Sequence, residues 1–508
     1  MTAEEVVLEL DDIQGNLVPG FKKDSQHFVF FRIVDAVLAR EWLKGLAVRL
    51  STAREVMEAH ALWKGMRRKL GKDPDNLDFL FLNCAISAAG LRKLELPDVD
   101  RFDDTAFKLG LAERAELIGD PPRGSGQPGS PDTWLFGAGG KKPDVLVIIA
   151  TDDERWAIKS ERELIASARQ SGLNLIHVDR GRVRPGLMAG HEHFGFKDGV
   201  SFPAIRGRAS DLTDDFVEQR AWPPGSEFDI YRGRYAAPGR PLVWPGHFLF
   251  GYPRQKRDEP EEMRPGSEPV GPDWARNGSF LVYRRLKQDV TAFHEFLSSA
   301  ASDLRNSGFD QDLTPERLGA LLVGRWASGW PIMRNASADQ GRNLPGENYF
   351  GFSEATTAVL PGDANPLNPA DPNGRVCPFA AHIRKVQPRD DATDIGPMER
   401  TFQKLLLRRG ITFGPEMDDP DAERGLLFVA FQTSIVDQFE FLMNDWVNDA
   451  NKPHAGGGID PIIGGARNSP VLLMSGDTPH QLTVPGGWVV ATGGEYMLAP
   501  GISFFSRL

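Results

Sequence analysis

Cysteine is almost missing: Cys84 and Cys377 are the only two in 508 residues, and no CxxC pair occurs. That excludes a disulfide framework and the thiolate sets of zinc and iron–sulfur centres, and it suits a reducing cytoplasm. Basic charge is not in excess either. Lys and Arg number 59 against 70 Asp and Glu, a formal charge of −11, so the surface does not offer what a nucleic-acid backbone needs. Small neutral or cationic substrates suit it better. Long apolar runs are also lacking. The run at 145–150 is far short of the roughly 20 residues that span a bilayer. The start, MTAEEVVLELDD, has neither the basic residues and apolar stretch of a secretory signal nor a twin arginine. The expectation is a cytoplasmic chain without a membrane or nucleic-acid partner; enclosure in a protein shell, or export with a partner, stays open.

What is present is ordinary globular composition, 41% hydrophobic and 25% charged, with generous loop chemistry in 53 Gly and 38 Pro. The length allows two to four domains, or one large body built from repeated halves. Strand-to-helix units recur in both halves, which points to duplication. Strands are expected at 27–33, 77–86, 145–150 and 173–183, with Ser87 capping a short helix and a longer helix over 154–170. In the second half, 279–285 leads into a helix at 289–299, and 425–434 into one at 436–448. In that last helix Phe439, Leu442, Met443, Trp446 and Val447 form one apolar stripe, so Trp446 reads as core. Pro/Gly-rich stretches at 223–246, 258–272 and 335–373 read as insertions. Irregular alternation of strands and helices favours the α+β class.

Several motifs could carry chemistry. The loop 137–142, GAGGKK, has no Ser or Thr after its lysines and Pro143 close behind, so it reads as a turn rather than a phosphate loop. His191 and His193 would share one side of an extended segment, but no third ligand stands nearby, and structural hydrogen bonding is the better reading. In Gly195-Phe196-Lys197-Asp198-Gly199 one carboxylate stands between glycines and aromatics. Glycines let backbone approach a flat ligand, and an aspartate among aromatics is expected to have a raised pKa; read alone, Asp-Gly is a turn. His382 lies beside Ala380 and Ala381 with arginines following, a setting that fits a haem ligand without requiring one. Arg408-Arg409 is either solvated surface or an electrostatic clamp on a breaking O–O bond.

Taken together these segments resemble the dye-decolourising peroxidases. GHEHFGFKDGVS (190–201) resembles the family's GxxDG motif, CPFAAHIRKVQPRD (377–390) its proximal histidine segment, and RRGITFGPE (408–416) the segment with its distal arginine. Further likeness in DIQGN (12–16), GHFLFGYP (246–253), 324–331, 425–442 and GIDPIIG (458–464) spreads the match over nearly the whole chain. The resemblance implies two ferredoxin-like halves with antiparallel sheets and peripheral helices, of the dimeric α+β barrel type, divided as 1–240 and 241–508. It implies heme b, with His382 as iron ligand, Asp198 as distal acid/base and Arg408 as distal cation, Arg409 being the weaker candidate. Arg389 would face a propionate, Asp460 would accept from the far nitrogen of His382, and Gly195, Phe196 and Gly199 would meet the cofactor. Hydrogen peroxide and bulky aromatic donors such as dyes and phenols are the implied partners, with activity favoured at acidic pH; a homo-oligomer stays open. Phe413 stands where family members often carry Tyr, which puts surface oxidation through that position in doubt. The rival readings are a haem-handling protein without peroxidase turnover and a haem-free cargo or structural protein.

Overall fold

A computed structural model describes residues 5–74, 77–218, 220, 234–256, 263–341, 347–355, 368–419 and 422–508. Parts of the Pro/Gly-rich stretches 223–246, 258–272 and 335–373 lie outside these residues. Eight strands organise the rest: β1 Ser25–Ile33, β2 Phe81–Ser87, β3 Val145–Thr151, β4 Leu173–Arg182, β5 Ser279–Gln288, β6 Ile411–Phe413, β7 Gly425–Gln432 and β8 Val489–Ala499. All pair antiparallel, in the order β4-β1-β3-β2-β8-β5-β7-β6, and β6 returns to β4 through Phe413 opposite Gly181. The ring is therefore closed, which leaves no unpaired sheet edge among these strands.

Each half lays its strands in the same order, fourth, first, third, second. Helices α1 (Ala36–Ala47) and α2 (Ala53–Leu70) connect β1 to β2, and α3 (Glu154–Gln170) connects β3 to β4. In the second half α4 (Val290–Asn306) and α5 (Pro315–Val323) follow β5, and a helical segment at 435–447 joins β7 to β8. This is the β-α-β-β-α-β plan twice over, and the expected pair of ferredoxin-like halves is what the chain forms. Helix starts follow from local chemistry. Ser87 Oγ accepts from Gly90 N at 3.1 Å, and the Asp153 carboxylate accepts from Arg155 N at 2.8 Å, opening α3 at Glu154.

Strand alternation separates two cores. Phe28, Phe30, Ile148, Leu281, Leu427 and Phe431 fill the barrel, while Val29, Phe31, Val147, Ile149, Phe280 and Val282 face the helices outside. Side chains in a strand repeat every two residues, and both faces are covered, so these strands read as continuous apolar runs. Each fully buried side chain of this size stabilises the fold by ~1.5–3 kcal/mol.

The structure departs from the sequence pattern in three places. The segment 436–448 is π-helical, Ile435–Glu440 and Leu442–Val447, rather than α-helical; five apolar positions are too few to tell i→i+4 from i→i+5 closure. Trp446 is core as expected, 0% exposed, with its indole N–H donating to Asp394 at 3.0 Å. Strand β6, three residues long, is too short to show a period of its own in the sequence. Strand β8 shows no clear alternation in sequence because Gly493 and Gly494 break its pattern at a register shift. The loop at 137–142 packs on that strand: a Cβ on Gly137, whose φ is +96°, would lie 2.1 Å from the Gly494 carbonyl. Among the described residues no helix is long and apolar enough to cross a membrane.

Candidate active site

A cavity of about 600 Å³ lies against the outer face of the second half's sheet, within the range of ~300–1,000 Å³ usual for small-molecule and cofactor sites. Arg284, Leu286 and Gln288 of β5 and Leu426 and Phe428 of β7 form its floor. The π-helical segment supplies Phe439, Leu442, Met443 and Val447 to one wall. Helix α6 (His382–Val386), the loop 196–201, and residues 118–122 and 127–129 of the first half complete it.

The loop brings Asp198 to Arg408. Gly195 and Gly199 have φ of +99° and +70°, a region that only glycine adopts without strain, and Asp198 N donates to Gly190 O at 2.9 Å. Asp198 Oδ1 accepts from Gly199 N at 2.6 Å and from Arg408 Nη1 at 2.9 Å, while Arg408 Nη2 donates to Ser201 O at 3.2 Å. The expected rise in the Asp198 pKa is not found. Burial pushes it up, but the charge of Arg408 and the Gly199 amide outweigh that and hold the carboxyl below its ordinary value. Phe196 and Gly199 line the cavity, and Gly195 does not; it shapes the turn behind them.

Arg408 sits on the short strand Leu407–Arg408, paired to β7. Successive strand residues point to opposite sides, so Arg409 turns away from the cavity. Its guanidinium donates to Asn16 O at 3.0 Å, Leu17 O at 2.8 Å and Arg408 O at 3.2 Å, tying the N-terminal segment to the barrel. Arg409→Met should cost about 1–3 kcal/mol by leaving buried carbonyls without donors, visible as a lower Tm, while the reaction with peroxide keeps its parent rate.

His382 opens α6 beside the fully buried Ala380 and Ala381. Its Nδ1 lies 2.8 Å from Asp460 Oδ2, and Asp460 Oδ1 accepts from Ile462 N at 2.9 Å and Ile463 N at 3.1 Å. A carboxylate engaged in this way acts as acceptor, so Nδ1 carries the proton and Nε2 the lone pair. His382 lines the cavity while Asp460, 2% exposed, stands behind it.

At the margin Arg389 donates to Phe350 O at 3.0 Å and Asn348 Oδ1 at 2.7 Å, and Arg325 donates to Glu347 O at 2.7 Å and Asn348 Oδ1 at 3.2 Å. Neither reaches a carboxylate among the described residues. Burial pushes Arg325 down to about 9, with the charge of Arg389 adding to it, and burial pushes Arg389 down to about 10. Arg325 was not singled out from sequence. Its segment, 324–331, stands out in the sequence only by its likeness, and the partners at 347–348 that hold its guanidinium are a property of three dimensions. His193 Nε2 donates to Phe413 O, 2.9 Å away, and burial with the charge of Arg184 takes its pKa down to about 4, so its ring is neutral. Among the described residues no group of three or more His, Cys, Asp or Glu is arranged to hold a bare metal ion.

Haem brings four nitrogens of its own and asks the protein for one imidazole and room. His382 with a free Nε2, a largely apolar cavity of this size and two buried guanidiniums that make no hydrogen bond to a carboxylate among the described residues fit that group.

Comparisons agree with the geometry. The model of the DyP dimeric alpha+beta barrel domain matches residues 12–185. Over 98% of its length the chain is 31% identical to dye-decolorizing peroxidase msp1 of Mycetinis scorodonius, covering 86% of that protein. It is 27% identical to the multifunctional dye peroxidase DyP2 of an Amycolatopsis species, covering 97% of it. Among solved structures, a dye-decolorizing peroxidase in complex with 2,6-dimethoxyphenol superposes with a TM-score of 0.75 at 28% identity, over 98% of this chain and 99% of that one. A fungal DyP-type peroxidase from Auricularia auricula-judae gives 0.72 at 28%, over 99% of both chains. With its barrel, its cavity and a 30% relative along its whole length, the chain belongs to the family of dye-decolourising peroxidases, haem-dependent oxidoreductases that act on aromatic donors.

Proposed function

We propose that the cavity binds heme b, with His382 Nε2 as the iron ligand, and that the chain uses it to reduce hydrogen peroxide at the expense of phenols and dyes. The convergence of Asp198, Arg408 and His382 on one cavity carries this reading. Covalent c-type attachment would need a CxxCH segment, which the sequence lacks. Residues 1–240 bring the loop with Asp198, and 241–508 bring His382 and Arg408. Arg389, joined by Arg325, would face the propionates. Gly195, Phe196 and Gly199 shape the loop that would meet the cofactor.

When bound, haem supplies the electrons that cleave the O–O bond and takes them back singly from the donor. The rest is done by side chains. Asp198, ionised by its pairing with Arg408, accepts the proton of one peroxide oxygen and returns it to the other, which leaves as water. Arg408 offsets the negative charge that gathers as that bond breaks. Asp460 holds the His382 ring in one orientation and makes Nε2 a stronger donor. Asp460→Asn should therefore weaken haem retention or activity ~10–100-fold, read by haem titration.

The test is peroxide-dependent oxidation of 2,6-dimethoxyphenol, the compound bound by a relative, by the haem-loaded chain. Turnover is expected. A Soret band without turnover would favour a haem-handling protein, and no Soret band after reconstitution would favour a haem-free carrier.

A further inference from the structure

The segment His191-Glu192-His193 has no part in the chemistry above, yet Glu192 lies on the cavity wall. Its carboxylate accepts hydrogen bonds on both oxygens. Oε1 takes Phe196 N at 2.8 Å, and Oε2 takes Phe194 N at 2.8 Å together with the amide of Gln288, the last residue of β5. The backbone closes the same turn: Glu192 N donates to Phe196 O at 3.0 Å and Gly195 N to Glu192 O at 2.9 Å. Arg184 Nη1 donates to Glu192 O at 2.6 Å, and His193 N to Gln288 Oε1 at 3.4 Å. Residues 192–196 are thus wound around one carboxylate and tied to the barrel, and Asp198 follows two residues later.

We infer that Glu192 is a positioning residue for the peroxide reaction: its carboxylate sets the 194–199 loop so that Asp198 meets Arg408. This rests on the reading of Asp198 as the proton carrier. The reason is geometric. A loop with left-handed glycines at 195 and 199 has many alternatives open to it, and amides of 194 and 196 that both point inward require an acceptor with two oxygens. A glutamine has one acceptor oxygen and sets an N–H against an N–H at the other site. Burial raises the Glu192 pKa, its three donors oppose that, and the charge of Asp198 adds to the rise, so the site holds two acids that feel each other.

The test uses the haem-loaded chain with Glu192→Gln, Glu192→Asp and Asp198→Asn measured together. Glu192→Gln should slow the reaction with peroxide by ~10²-fold, the cost of a misplacement of about 1 Å. Its KM for 2,6-dimethoxyphenol and its Soret band should stay as in the parent, and amide exchange at 194 and 196 should speed up. Glu192→Asp keeps two acceptor oxygens and should recover part of the rate. A parent-like peroxide rate in Glu192→Gln, with Asp198→Asn slow, overturns the inference alone. A parent-like rate in Asp198→Asn removes the reading beneath it and the inference with it. Should Glu192→Gln fail to hold haem, Gln288→Ala carries the question, because it leaves the carboxylate and takes one donor. A slower peroxide rate there supports the inference, and an unchanged one overturns it.

Discussion

Asp198→Asn slows the reaction of the haem-loaded protein with peroxide by ~10²–10⁴-fold, the usual contribution of a positioned general acid–base group. Asparagine keeps the size and can still accept from Gly199 N, but it cannot take the proton. Arg408→Leu loses ~10²–10³-fold by removing the cation that offsets the developing charge, and it has a second consequence. In the parent, burial raises the Asp198 pKa and Arg408 with Gly199 N lowers it further than that. The ionised form therefore persists as pH falls, and the proton-accepting limb of the pH profile lies below the ordinary carboxylate range. Without Arg408 the burial effect is left opposed mainly by the Gly199 amide, and that limb moves to higher pH. The sign is the same for stability. A carboxyl with a depressed folded pKa stabilises the fold above its unfolded value, and that contribution fades as pH falls through the folded one. A pH–rate profile of the peroxide step in both proteins checks the shift. An acid limb at the same pH in each would count against the pairing.

His382→Ala removes the one free imidazole nitrogen that the described residues place on the cavity wall, and haem retention should fall by more than the ~10–100-fold expected from loss of an outer partner such as Asp460. The void left behind is the size of the lost ring, and Asp460 remains in place to accept from an N–H. Added imidazole should therefore restore the absorption of ligated haem to the variant. A relative has been solved with imidazole bound, so the parent serves as control for binding elsewhere. If haem binds the alanine variant as tightly as the parent, with the same spectrum, His382 is not the ligand.

Much of this architecture is legible without coordinates, for definite reasons. Strands β1 and β3 are buried on both faces, so their apolar runs stand out, and the caps at Ser87 and Asp153 are set by neighbours two or three residues away. Strands β6 and β8 were hidden because one is too short to show a period and the other is interrupted by glycines. The site divides the same way. Asp198, His382 and Arg408 each sit in a long local motif. Leu426 and Phe428 belong to a strand that was read correctly, but which face meets the cavity depends on barrel closure. Arg325 owes its significance to partners at 347–348 and Glu192 its tie to the barrel to Gln288, and residues 118–122 reach the cavity from the other half. None of these pairings is encoded within a window of sequence. The opposite fates of Arg408 and Arg409 follow from strand alternation carried one residue past Leu407–Arg408, where Arg409 N still donates to Val429 O of β7.

The most direct measurement is the absorption spectrum of the haem-loaded chain before and after one equivalent of hydrogen peroxide, followed by 2,6-dimethoxyphenol. The expected result is a Soret band that changes within the mixing time and returns to its starting form as the phenol is oxidised. A Soret band that peroxide leaves unchanged, or one that bleaches without oxidising the phenol, would contradict the account.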